Sequence, residues 1–260
     1  MKETSARLAD ALTLAARGWE GIQTGHSLEK SLEQATRGVD PRLRAATQDL
    51  LYGAMRRRAL VEALIARLAQ RPPAPPVAAL VAIALSQLVA RAAADYAIVD
   101  QAVVAAKEEP ILTPAAGFIN AVLRRYTRER EALEAELGEQ PTIRYNAPAW
   151  WIAQVRAARP DDWQTVLELQ QTRPPMILRV NERRATVEST LAEFAAAGLA
   201  ASQVGASAIW LHEPRPVHLI PGFDTGRVSV QDAGSQVLAQ LVGARRGQTI
   251  VDFCAGAGGK

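Results

Sequence analysis

Cysteine occurs once in the 260 residues, at Cys254, and histidine three times, at His26, His212 and His218. A single thiol excludes an internal disulfide framework and any multi-cysteine metal site. The histidines are scattered, with no further His or carboxylate at ligand spacing, so no metal is expected. The first residues, Met1-Lys2-Glu3-Thr4-Ser5-Ala6-Arg7, hold no apolar core of a signal peptide. The longest apolar run, residues 77–90, is interrupted by Ser86 and Gln87. It is too short to span a bilayer comfortably and reads as a buried helix. An excess of one charge is missing as well. Thirty basic residues face 27 acidic ones, a net charge of +3, so any affinity for nucleic acid must come from the arrangement of charge rather than its sum. The expectation is a cytoplasmic protein of a reducing compartment, with no membrane partner.

What is present is ordinary globular material, 48% hydrophobic and 22% charged. The first 135 or so residues read as helix after helix, with Thr4 and Ser5 as cap candidates for the first. Asp40-Pro41 supplies an N-cap followed by proline at the first helical position, where its missing N–H is harmless. The proline run at 72–76 predicts a stiff connector. A further helix is expected from Thr113-Pro114, with Phe118, Ile119, Val122 and Leu123 inward and Arg124, Arg125, Arg128 and Arg130 towards its far end. Beyond residue 138 the character changes. Two short helices, the first carrying Trp150-Trp151, precede a strand at 176–181, a helix at 186–197 closed by Gly198, and a strand at 208–211. Strand, helix and strand within about 40 residues indicate a small α+β unit. The domain boundaries read from the sequence are 1–138, 139–227 and 228–260.

The last segment carries the chemistry. Residues 228–230 are strand-like, 231–242 predict a helix, and Thr249-Ile250-Val251-Asp252-Phe253 predicts a β-branched strand running into Cys254-Ala255-Gly256-Ala257-Gly258-Gly259-Lys260. A buried strand followed by a small-residue loop is how an open α/β sheet presents a ligand loop at its carboxyl edge. Glycines let the backbone approach the ligand closely. A phosphate-binding P-loop would need glycine where Cys254 stands and Ser or Thr after Lys260. A dinucleotide fingerprint would need glycine at 256, 258 and a third position after Lys260, and stays open as a weaker alternative.

The ten residues from Val251 to Lys260 resemble the first cofactor motif of the bacterial Sun/Fmu-type 16S ribosomal RNA cytosine-C5 methyltransferases. Ile220-Pro221-Gly222-Phe223, Gly226, Val228 and Val230-Gln231-Asp232-Ala233 with Ser235-Gln236 are similar to that family's approach to its catalytic domain. Arg173-Pro174-Pro175-Met176 with Leu178-Arg179-Val180-Asn181 is similar to its small RNA-recognition unit. Asp100-Gln101-Ala102-Val103 to Lys107, and the run from Gly117 to Arg125, are similar to a NusB-like helical domain. The resemblance therefore covers essentially the whole chain in order. It implies a multidomain fold: an all-α NusB-like domain, then a small α+β RNA-recognition unit, then the first helix and strand of an α/β Rossmann-like methyltransferase domain.

The resemblance also implies S-adenosylmethionine as cofactor and small-subunit ribosomal RNA as partner. Its cofactor-binding positions here are Cys254, Ala255, Gly256, Ala257, Gly258, Gly259 and Lys260. The family usually has proline at 257 and alanine at 256; both changes loosen the loop. In the family one cysteine thiolate adds to C6 of the target cytosine, so that C5 takes the methyl group, and a second cysteine assists release. Both are expected beyond residue 260, and Cys254 is expected to pack beneath the loop rather than react. The chain is thus expected to be a fragment inactive alone, since one strand of a parallel sheet lacks the strands and helices that cover it. A NusB-like RNA-binding or transcription-factor-binding module without chemistry is the alternative.

Candidate RNA contacts are Arg179 and Asn181 on the strand, and Arg124 and Arg125 on the helix. The triplet Arg56-Arg57-Arg58 and the pair Arg183-Arg184 are further phosphate contacts, or solvated element ends. Trp150, Trp151 and Trp163 are expected in the core, with base stacking as the lesser reading.

Overall fold

The structure is a computed structural model that describes residues 7–255. The cap candidates Thr4 and Ser5 and the loop positions 256–260 lie outside the described residues. The chain divides into two compact units, Met1–Thr172 and Arg173–Lys260.

The first unit is helical: α1 (Leu8–Gln23), α2 (Leu28–Ala35), α3 (Pro41–Met55), α4 (Arg58–Leu68), α5 (Pro75–Ala90), α6 (Asp95–Glu108), α7 (Ala116–Gly138), α8 (Pro141–Arg144), α9 (Ala149–Ala158) and α10 (Trp163–Leu169). Its starts follow local chemistry. Asp40 accepts the Arg42 N–H at 2.8 Å ahead of Pro41, and Ser27 accepts the Lys30 N–H at 3.2 Å to open α2. The expected proline connector is shorter than the run that predicts it, because Pro75 and Pro76 occupy the first two helical positions of α5, where a missing N–H is tolerated. Thr113-Pro114 forms a 3-10 turn, and α7 follows it. Helix α5 is buried on every side, from Val77 through Leu88, as an all-round apolar helix must be. It packs against α1, α3, α4, α6 and α7 and is the axis of the helical core.

A smaller apolar cluster gathers Tyr145, Ala147, Ile152, Val155 and Leu167, with Trp151 and Trp163 packed against it. Trp150 departs from the expected core placement: it is 63% exposed. Adjacent positions on a helix point about 100° apart, and here Trp151 takes the inward side of α9 while Trp150 faces outward.

The second unit is built on a four-stranded antiparallel sheet in the order β2-β3-β1-β4, with β1 (Met176–Val180), β2 (Ala201–Gln203), β3 (Ala208–Leu211) and β4 (Val228–Val230). Helix α11 (Val187–Ala196) joins β1 to β2, which lie either side of β3 in a split β-α-β arrangement. Thr186 accepts the Ser189 N–H, and the Ser189 hydroxyl reaches back to the Thr186 N–H, a reciprocal capping box. One sheet face contributes Leu178, Val180, Ile209, Leu211 and Val228 to a core with Phe194 and Leu199. The short strand β2 carries no clear alternation and escapes sequence reading.

Helix α12 (Ala233–Leu241) starts at Asp232, whose Oδ2 accepts the Gly234 N–H at 2.8 Å and the Ser235 N–H at 3.3 Å. The strand expected at 249–253 is not formed: these residues pair with no strand among the described residues, and Val251 and Phe253 are exposed. A strand exists only through a ladder partner, and these residues have none among the described residues.

Candidate nucleic-acid interface

The end of β1 supplies the first candidate residues. Leu178 and Val180 point into the core while Arg179, between them, projects exposed from the opposite face, where Ile177 is buried. Beyond the strand, the Asn181 side chain closes a turn. Its Nδ2 donates to the Gly226 carbonyl at 3.1 Å and its Oδ1 accepts the Arg183 N–H at 3.2 Å. Asn181 therefore holds the turn that displays Arg183. Arg184 is used differently, since its guanidinium donates to the Thr225 carbonyl. Gly226 itself adopts φ +66°, a left-handed conformation that favours glycine.

These residues surround a polar cleft of about 720 Å³. Arg179, Asn181, Glu182 and Arg183 line it together with Ser207, Ser229 of β4, and Gln236 and Gln240 of α12. Ser207 Oγ donates to Gln236 Oε1 at 3.3 Å, and Gln236 Nε2 donates to the Gln231 carbonyl at 3.1 Å, which fixes α12 against the sheet. Arg179 and Arg183 have no side-chain hydrogen bond or ion pair among the described residues. Two unpaired guanidiniums above amide and hydroxyl groups suit a polyanion with hydrogen-bonding edges. Ser207, Ser229 and Gln240 carry no sequence signal of their own; only the fold brings them to the cleft with Arg179.

Arg124 and Arg125 lie in the other unit, on α7. Arg124 Nε donates to Asn120 Oδ1 at 3.0 Å and lines a groove of about 340 Å³ with Lys107, Asp100 and Gly117. Arg125 is committed internally: it bonds Glu129 at 3.0 Å and the Leu68 carbonyl at 3.3 Å, and its guanidinium holds the Glu129 carboxyl below the usual carboxylate range. Arg57 likewise donates to the Gly53 carbonyl at 3.0 Å, closing the last turn of α3. Arg58 pairs with Glu62 at 2.8 Å.

Of the expected cofactor loop, Cys254 and Ala255 are described, and both are exposed, so Cys254 does not have the packed placement expected of it. The Cys254 N–H donates to Asp252 Oδ1 at 3.2 Å, so Asp252 organises the entry to the loop. Among the described residues no group of three or more His, Cys, Asp or Glu side chains is placed to hold a metal ion, and no helix is long and apolar enough to cross a membrane.

Residues 3–128 match the NusB family. Residues 147–218 match the family described as "Methyltr_RsmF/B-like, ferredoxin-like domain". The ribosomal RNA small subunit methyltransferase B of Pseudomonas putida is 37% identical over 95% of this chain, and that of Klebsiella pneumoniae is 35% identical over 95%. The corresponding Vibrio cholerae protein is 32% identical over 93%. The chain is a homologue of the Sun/Fmu-type ribosomal RNA small subunit methyltransferases. It spans 57–58% of the length of these relatives. The crystal structure of PH0851 shares its fold, with a TM-score of 0.62 at 15% identity, covering 92% of this homologue and 56% of that chain. The match to the ferredoxin-like family includes α9, α10 and the sheet through β3, which places Arg179, Asn181 and Arg183 inside a recognised module of methyltransferases.

Proposed function

We propose that this chain is the RNA-recognising portion, with the first cofactor loop, of an S-adenosylmethionine-dependent ribosomal RNA cytosine-C5 methyltransferase acting on small-subunit RNA in the cytoplasm. The relatives' shared name supports the substrate and the reaction class. The observation that carries the reading is the cleft in the second unit, where Arg179 and Arg183 stand without acidic partners among the described residues. In this reading the two guanidiniums bind phosphates, Asn181 fixes the turn that carries Arg183, and Ser229 and Gln240 offer hydrogen bonds to bases or riboses.

S-adenosylmethionine, when bound, supplies an activated methyl group from its sulfonium. The described part of its loop fits that role as far as it extends: small exposed residues follow a turn held by Asp252 and the Cys254 N–H. Cys254 is assigned to that loop and not to attack on the base.

The test is a salt titration of the chain's affinity for small-subunit RNA fragments. Each of Arg179→Ala and Arg183→Ala is expected to lower the slope of log affinity against log salt by roughly one phosphate contact, about 0.7–0.9. Unchanged slopes in both variants, or no RNA binding by the chain, would remove the basis of the proposal. A NusB-like binding role for the first unit is supported by the groove bearing Lys107 and Arg124, and Arg124→Ala measures it in the same titration.

A further inference from the structure

The sheet of the second unit has two faces: one carries the main apolar cluster, and on the other Ile177 and Ala208 are buried while Arg179 and Trp210 are exposed. On this second face the register lines up two cross-strand rows. Ser202, Trp210 and Ile177 form one; Ala208, Arg179 and Ser229 form the next. Trp210 is 41% exposed although Ile209 and Leu211 on either side of it are buried. His212, two residues on and therefore on the same face, meets the Trp210 ring edge to face at 4.8 Å between centroids. The Ser202 hydroxyl holds His212 Nε2 at 2.9 Å from the neighbouring strand. Trp210 and Arg179 are diagonal neighbours on adjacent strands, because Arg179 faces Ala208 and Trp210 lies two residues further along β3.

We infer that Trp210, braced by His212, is a stacking platform for an unpaired RNA base, with Arg179 holding the adjoining phosphate. The inference deepens the RNA-recognition reading and rests on it. A large ring turned away from the apolar core contributes little to that core, yet it is held against His212, which Ser202 anchors in turn. Neither row contains a carboxylate, and Arg179 has no acidic partner among the described residues. An exposed aromatic ring beside a guanidinium that makes no ion pair among the described residues, on the face of the sheet that α12 covers only in part, suits a single-stranded polyanion whose bases offer π-faces. It does not suit duplex RNA, whose bases are already stacked on one another. Strand β2 is the edge of the sheet and carries Ser202, so an extended strand of RNA can reach the ring from the side.

The experiment compares the 260-residue chain with Trp210→Ala and Trp210→Phe by fluorescence anisotropy. The probes are a labelled single-stranded oligoribonucleotide, the same sequence as a duplex, and a single strand with abasic positions. Trp210→Ala is expected to weaken single-strand binding about tenfold. Trp210→Phe should recover most of it, and the loss should vanish on the abasic strand. Circular dichroism and thermal melting confirm that the variants fold. Equal single-strand affinity for the parent chain and a folded Trp210→Ala variant overturns the platform while leaving RNA recognition by Arg179 and Arg183 intact. Failure of the parent chain to bind any probe overturns the wider reading and the platform with it. A variant with altered self-association and unchanged RNA affinity marks the face as a protein contact and also overturns the inference.

Discussion

Asn146 caps a helix far before it in the chain: its Oδ1 accepts the N–H of Ala59, 87 residues earlier, at 2.8 Å. Helix α4 has no side-chain cap of its own, because the residue in that position is Arg57. The Asn146 Nδ2 donates in turn to the Met55 carbonyl at 3.0 Å, near the end of α3. One amide thus serves the end of one helix and the start of the next. It does so from a left-handed backbone position, φ +48°, which Asn tolerates better than most residues.

Asn146→Ala should destabilise the helical unit by about 1–2 kcal/mol, the usual effect of removing a helix cap, with added backbone strain. Asn146→Asp keeps the acceptor for Ala59 but sets a carboxylate oxygen against the Met55 carbonyl, so it should not restore stability. Chemical denaturation of the three proteins checks this. A Asn146→Asp variant as stable as the parent would show that the bond to Met55 contributes nothing.

Arg125 should behave as a structural residue and Arg124 as a surface one. Arg125 links α7 to the last turn of α4 through the Leu68 carbonyl and pairs with Glu129 one turn along. Arg125→Ala is expected to reduce stability by about 0.5–1 kcal/mol, a figure kept small by the solvent exposure of the pair. Its effect on RNA affinity should be smaller than that of Arg124→Ala. Parallel melting and RNA-binding measurements on the two variants decide the assignment, and a larger RNA defect in Arg125→Ala reverses it.

These residues show what was legible in the sequence. Helices announced themselves through apolar periodicity and through local caps such as Asp40, because both are short-range chemistry. The alternation that turns Arg179 outward could be read from the flanking Leu178 and Val180. Asn146 could not be read as a cap for Ala59, because that bond depends on how distant helices pack. Nor did Trp210 declare its face: Ala208-Ile209-Trp210-Leu211 is apolar at every position, and only pairing with β1 shows which members face the core. The cleft at Arg179 has the same origin, since Ser229, Gln236 and Gln240 reach it through sheet pairing and the placement of α12. The segment at 249–253 had strong β-propensity, and propensity without a ladder partner did not make it a strand.

Tyr126 should give the helical unit an alkaline limit. The side chain is fully buried, its hydroxyl donates to Glu134 Oε1, and the Arg130 guanidinium lies 5.2 Å from its ring centroid. Burial is the main cause that holds the phenol above its ordinary value, and the hydrogen bond and negative charge of Glu134 add to it. A folded-state value raised in this way means that the folded chain keeps a proton the unfolded chain releases. The associated stability is fully present below the unfolded tyrosine value of about 10 and is lost as pH rises from there through the higher folded value. Tyr126→Phe should cost about 1 kcal/mol at neutral pH by deleting the hydrogen bond, while keeping the ring beneath Arg130. Above pH 10 the gap between parent and variant should narrow and then reverse, because phenylalanine has no proton to lose. Melting temperatures of both proteins across the alkaline range measure this, and parallel declines would show that Tyr126 does not set the limit.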